Sequence, residues 1–179
     1  MDLSAAELAQ VDVGEAARFG ERYAGTPPTP LVELIAWLKT EPDVHAFVEI
    51  KAESLEHFGQ ETVVQAVMQA VRPALAQCVI ISFDAPCLAL ARTLGAGPVG
   101  WALEDASAPT AAVAAGFKPE YLFVGDRMFI EAHAALKGRW RWVVYQVQVP
   151  DYAVRLTQAG ADMVETDAIG EMVAALGQP

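Results

Sequence analysis

Glu49 and Lys51 stand two residues apart at the end of a short apolar run, Phe47-Val48-Glu49-Ile50-Lys51. Side chains alternate along an extended strand, so Glu49 and Lys51 share one face and Val48 and Ile50 the other. With Val48 and Ile50 packed against helices, a carboxylate and an ammonium point together toward an open end. There the Glu can hold a divalent cation and the Lys can meet a phosphoryl oxygen. The simpler alternative is an ion pair with no further role. Val164-Glu165-Thr166-Asp167 repeats the pattern with two acids. Its alternative is that Thr166 or Asp167 caps a helix starting near Ile169. Ser82, Asp84 and Asp126 end other apolar runs and read as turn residues.

Trp101, Trp140, Trp142 and Tyr145 read mostly as core filling, with Trp101 or Tyr145 as the alternative candidates for an apolar wall against a substrate's alcohol group. The three histidines are informative by position. His45 precedes the Phe47 run, His57 falls in a loop or helix start, and His133 lies in an Ala-rich helical segment. None pairs with an acid at the end of an apolar run, so this sequence offers no catalytic acid–base pair. Cys78 and Cys87 have no Cys or His companion at metal-ligand spacing and read as reduced core residues.

The elements that must position these groups alternate. Short apolar runs at 46–50, 79–83, 99–103, 121–124, 142–147 and 163–165 have the branched, doubly buried character of parallel strands. Between them, helical periodicity covers 30–39, 61–75, 85–94, 108–115, 152–159 and 169–176, with Gly95, Gly116 and Gly160 at expected helix ends. Strand–helix alternation implies right-handed βαβ units. No Gly-rich turn follows the first strand, which argues against an open nucleotide-binding sheet and for a TIM-type barrel. A complete (β/α)8 barrel runs to about 250 residues. This chain of 179 residues reads as one domain, an incomplete barrel with six of eight strands, lacking those at the N-terminal end.

Composition sets further bounds. Twelve Lys and Arg against 23 Asp and Glu give a net charge of −11, so nucleic acid is not an expected partner. The longest apolar runs are too short to span a bilayer. The opening residues lack a secretory pattern, and a cytoplasmic location is expected.

The strand ends, taken in order, resemble glycerophosphodiester phosphodiesterases. The resemblance rests on Phe47-Val48-Glu49-Ile50-Lys51, Ile81-Ser82-Phe83-Asp84, Val99-Gly100-Trp101, Pro119-Glu120-Tyr121-Leu122-Phe123, Trp142-Val143-Val144-Tyr145 and Val164-Glu165-Thr166-Asp167. It implies a (β/α)8 barrel that hydrolyses glycerophosphodiesters to glycerol 3-phosphate and an alcohol with a divalent cation, Mg²⁺ or Ca²⁺. It implies Glu49 as metal ligand and Lys51 as phosphate contact. The family's opening His-Arg-Gly strand, its Glu-x-Asp pair and its second His are not in this sequence, and Gln148-Val149 stands where many relatives have Asn-Asp. The implied metal site is therefore incomplete in this chain and the chain by itself is expected to be inactive. Its exposed sheet edges are expected to drive self-association. The alternatives are a non-catalytic barrel fragment with a binding role and a Schiff-base enzyme using Lys51; in the latter, Glu49 beside the amine opposes the required loss of its proton.

Overall fold

The computed structural model describes residues 3–177. The six apolar runs become six parallel strands, β1 (Ala46–Glu49), β2 (Cys78–Ser82), β3 (Val99–Ala102), β4 (Tyr121–Gly125), β5 (Arg141–Tyr145) and β6 (Met163–Val164). Each pairs only with its sequence neighbours, in the order β1-β2-β3-β4-β5-β6. The sheet curls as a barrel does, but among the described residues no pairing joins β1 to β6, and the barrel is open between them.

Helices follow the strands: α1 (Ala5–Leu8), α2 (Ala16–Phe19) and α3 (Leu31–Leu38) precede β1, and α4 (Ala52–Phe58) and α5 (Gln60–Val71) lead to β2. Then α6 (Ala85–Thr93), α7 (Ala108–Phe117), α8 (Phe129–Ala135), α9 (Pro150–Gln158) and α10 (Ile169–Leu176) follow the remaining strands. Local chemistry sets their ends. Asp84 caps α6 by accepting from the Cys87 N–H at 2.6 Å, with Pro86 in the first turn. The helix expected to run to residue 75 stops at Val71 and tightens into a 3-10 segment, Arg72–Gln77. Pro73 lacks the N–H that would continue the α-helical ladder. Gly116 lies inside α7, and Lys118 takes the left-handed cap at φ 52° instead. No helix among the described residues is long and apolar enough to cross a membrane.

Alternation sorts the strand residues into two layers. Val48, Ile50, Ile80, Leu122, Val124, Trp142 and Val144 face the helices. Phe47, Val79, Ile81, Ala102, Phe123, Val143 and Tyr145 fill the concave side. Complete burial of a side chain such as Leu122 or Phe129 stabilises by about 1.5–3 kcal/mol. The concave layer closes around Gly100: a Cβ there would lie 2.7 Å from the Phe123 ring and 2.8 Å from Ile81. Phe47 meets Tyr121 and Phe123 edge-on, with centroids 5.2 and 5.3 Å apart, so β1 reaches across the concavity to β4.

Candidate active site

Glu49 closes β1 on the concave side, and its neighbours Val48 and Ile50 are buried against helices, as alternation requires. The chain then turns into α4 at Lys51, which occupies the N-cap position in extended conformation. That geometry folds the Lys51 Nζ back to 2.8 Å from Glu49 Oε2. Lys51 is 63% exposed and Glu49 30%, and screening at that exposure holds the pair to about 1 kcal/mol or less. The Glu49 hydrogen bond is the main reason that the Lys51 amine is held above its ordinary pKa; burial opposes it, and the charges of Glu49, Glu53 and Glu165 add to it.

Glu165 follows β6 at the other edge of the sheet. Its N–H donates to the Val144 carbonyl at 2.9 Å and its carbonyl accepts from the Val147 N–H at 2.8 Å, so its backbone is fixed beside β5. Burial raises the Glu165 carboxyl above its ordinary value, the charges of Glu49 and Asp167 raise it further, and Lys51 offsets part of this. Tyr145 is raised by burial first, then by Glu165 and Glu49. Glu49, Lys51, Tyr145, Gln146 and Glu165 line one cavity of about 200 Å³ floored by Ile81 and Phe123. A second cavity of about 350 Å³ extends it between the sheet edges, against Phe47 and Met163. A larger cavity of about 540 Å³ lies beside α3 and α5, but no acid lines it.

The remaining candidates divide. Trp101 does not wall this cavity. It lies on the helix-facing side of β3, packs with both helix-side clusters, and donates its Nε1–H to the Phe83 carbonyl at 2.9 Å. The concave position beside it belongs to Gly100, which explains why the aromatic ring stands on the outer face. Asp167 accepts from Gln148 Nε2 at 3.3 Å and lies 3.8 Å from Arg18, while Thr166 Oγ accepts from the Ala168 N–H at 3.0 Å as a turn residue. Ser82 donates to the Ile50 carbonyl at 2.8 Å, and Asp126 accepts from the Arg127 N–H at 2.7 Å, so both serve the backbone.

His133 packs between Phe129 and Trp142 on the helix side, His45 precedes β1, and His57 lies on α4 against Phe58. None of them lines the cavity at the strand ends. Cys78 and Cys87 are buried free thiols. Burial, helped by Asp84, pushes Cys87 up to about 11, which keeps it protonated and unreactive at neutral pH. Glu165 is the participant that residue spacing underweighted. Its alternation along Val164-Glu165-Thr166 was visible, but its approach to Glu49 depends on the curl of the whole sheet.

Oxygen donors of this kind suit Mg²⁺ or Ca²⁺. Two carboxylates are fewer donors than either ion takes, and among the described residues no group of three or more His, Cys, Asp or Glu is arranged to hold a metal ion.

Comparison with models of known families finds no match, nor does comparison with curated proteins. Solved structures do match. A phosphodiesterase from Oleispira antarctica, in complex with the product sn-glycerol-3-phosphate, superposes with a TM-score of 0.78 at 18% identity, covering 98% of this chain and 71% of that one. A protein described as a glycerophosphoryl diester phosphodiesterase from Silicibacter pomeroyi gives 0.73 at 20% identity, covering 98% and 69%. A glycerophosphodiester phosphodiesterase from Parabacteroides distasonis gives 0.72 at 15%, covering 98% and 71%. Six strands in this order, with this curl, make the chain an incomplete TIM-type barrel of the fold seen in glycerophosphodiester phosphodiesterases.

Proposed function

We propose that the chain belongs to the glycerophosphodiester phosphodiesterases and supplies the phosphate- and metal-binding side of their site, for hydrolysis of a glycerophosphodiester to glycerol 3-phosphate and an alcohol. The observation that carries this reading is the convergence of Glu49, Lys51, Glu165 and Tyr145 on one cavity at the C-terminal strand ends. Strand C-termini are where barrels of this type place their chemistry. The product bound to the Oleispira antarctica neighbour supports a phosphate ester as the small-molecule substrate.

Each residue has a role that its environment explains. Lys51 keeps its proton beside Glu49 and so presents a permanent cation to a phosphoryl oxygen. Glu49, with Glu165 across the opening, would supply two oxygen ligands toward a divalent cation such as Mg²⁺ or Ca²⁺, which is less than a complete set. When bound, that ion polarises the phosphoryl oxygen. The burial and like-charge repulsion at Glu165 fit this role, because they disfavour its anion until a cation is near. Tyr145 and Phe123 provide the apolar wall for the glycerol and alcohol parts.

No histidine lines the cavity, so the proton transfers of hydrolysis have no donor or acceptor of that kind here. That observation favours, as the second reading, a barrel that binds phosphate esters without turning them over. Calcium or magnesium titration tests the metal assignment. Wild-type protein is expected to gain thermal stability with added ion, and Glu49→Gln to lose most of that gain. An equal shift in both would remove Glu49 from the site.

A further inference from the structure

At the opposite end of the sheet from Glu49, the chain gathers cations. Residues 118–120 lead into β4 and residues 137–140 into β5, so their meeting point lies at the N-terminal strand ends. There a cavity of about 560 Å³ is lined by Lys118, Lys137, Arg139, Glu120 and Trp140. The chain has only 12 Lys and Arg against 23 acids, so three cations on one cavity stand out against its charge.

The one acid on that cavity wall is already neutralised. Arg92 binds Glu120 through one nitrogen at 3.0 and 2.8 Å and also donates to the Phe117 and Lys118 carbonyls. Glu120 accepts in addition from the Val99 N–H at 2.8 Å. Lys137 donates to the His133 carbonyl at 2.9 Å, a contact that does not neutralise its charge. Lys118 is the left-handed cap of α7, a position fixed by the Arg92 contacts around it.

Trp140 adds a planar surface. Its ring lies on Gly138, where it leaves no room for a Cβ, and meets Trp142 edge-on at 6.2 Å. The ring is therefore held in place beside the cations. Charge-assisted contacts from Lys and Arg recognise phosphate oxygens, and an aromatic face stacks a base. The volume lies in the range of small-molecule sites.

We propose that this cavity binds an organic phosphate of the nucleotide class, its phosphates against Lys118, Lys137 and Arg139 and its base on Trp140. The site is separate from the Glu49–Lys51 end, and it stands or falls independently of the function proposed there.

The test is titration of the 179-residue chain with ADP, followed by tryptophan fluorescence and calorimetry, with pyrophosphate in a parallel arm. Saturable one-to-one binding is expected, tighter for ADP than for pyrophosphate. The double variant Lys118→Gln, Arg139→Gln should weaken it by about tenfold or more, as loss of two charged contacts implies. Lys51→Ala and Lys39→Gln should leave it unchanged, and Gly138→Ala, which displaces the Trp140 ring, should narrow the preference for ADP. If the double variant loses its thermal transition, Arg139→Gln alone replaces it, with weakened binding expected. The proposal is overturned by absence of ADP binding to the folded chain at millimolar concentration. Equal binding of pyrophosphate, full binding by the double variant, or loss of binding in Lys51→Ala would each overturn it as well.

Discussion

Glu49 ends β1 and Glu165 directly follows β6, at opposite edges of the sheet, yet they line the same cavity, and the charge of Glu49 helps to raise the Glu165 carboxyl above its ordinary value. The open seam of the barrel thus carries two acids that repel each other and one amine, Lys51, that offsets part of the repulsion.

This pairing makes stability depend on pH in a stated direction. The ordinary value for Glu165 is 4.5, and its folded value is higher. The folded state therefore holds a proton that the unfolded state releases first, and stability contributed by that proton is lost as the pH rises from 4.5 through the folded value. In the presence of a chelator, Glu165→Gln should remove this loss and melt higher than wild type, relative to pH 4, on the neutral side. Thermal melts of both proteins from pH 4 to 8 check it; parallel curves would contradict it.

Gly100 should not tolerate a side chain. Its Cβ position is already occupied at 2.7–2.8 Å by Phe123 and Ile81, both in the concave layer. Gly100→Ala is expected to destabilise by about 1–3 kcal/mol, the usual cost of overpacking. Phe123→Leu in the same chain should restore part of it. Urea unfolding of the three proteins is the measurement.

The sequence made the strands legible because runs buried on both faces are continuous in apolar character, as 79–83 and 121–124 show. It marked a helix end at Gly160, whose φ is +107°, and a turn at Asp84, which the structure makes the N-cap of α6. It was weaker where the answer is non-local. Trp101 is aromatic on either face of a strand, and only the crowding at Gly100 decides which. Glu165 gains its meaning from Glu49, more than a hundred residues away. The helices α4 and α8 are short, seven residues each, and too brief to show a period. Lys118, rather than Gly116, takes the left-handed cap, and Arg92 donates to its carbonyl at 2.9 Å.

The chain alone should show no phosphodiesterase turnover. Positioned proton transfer contributes about 10²–10⁴-fold, and His45, His57 and His133 all lie away from the cavity. Incubation with glycerophosphodiesters and Mg²⁺ or Ca²⁺, with enzymatic detection of glycerol 3-phosphate, checks this. Robust metal-dependent release would show that another group transfers the proton.

The unpaired outer edges of β1 and β6 should make the isolated chain associate. Met163 is exposed on one edge, and the concave aromatic layer opens beside it. Exposed parallel edges template pairing with another chain. Sedimentation velocity should show dimers or larger species that grow with concentration; a monodisperse monomer with a cooperative thermal transition would mean that the edges are covered.

The most direct test of the phosphate-binding assignment is calorimetric titration of sn-glycerol 3-phosphate into the chain with Ca²⁺ or Mg²⁺ present. Metal-dependent binding is expected, and Lys51→Ala should weaken it by roughly tenfold to a hundredfold, the worth of a charged hydrogen bond. Binding that is absent from the folded wild type, or equally strong in Lys51→Ala, would contradict it.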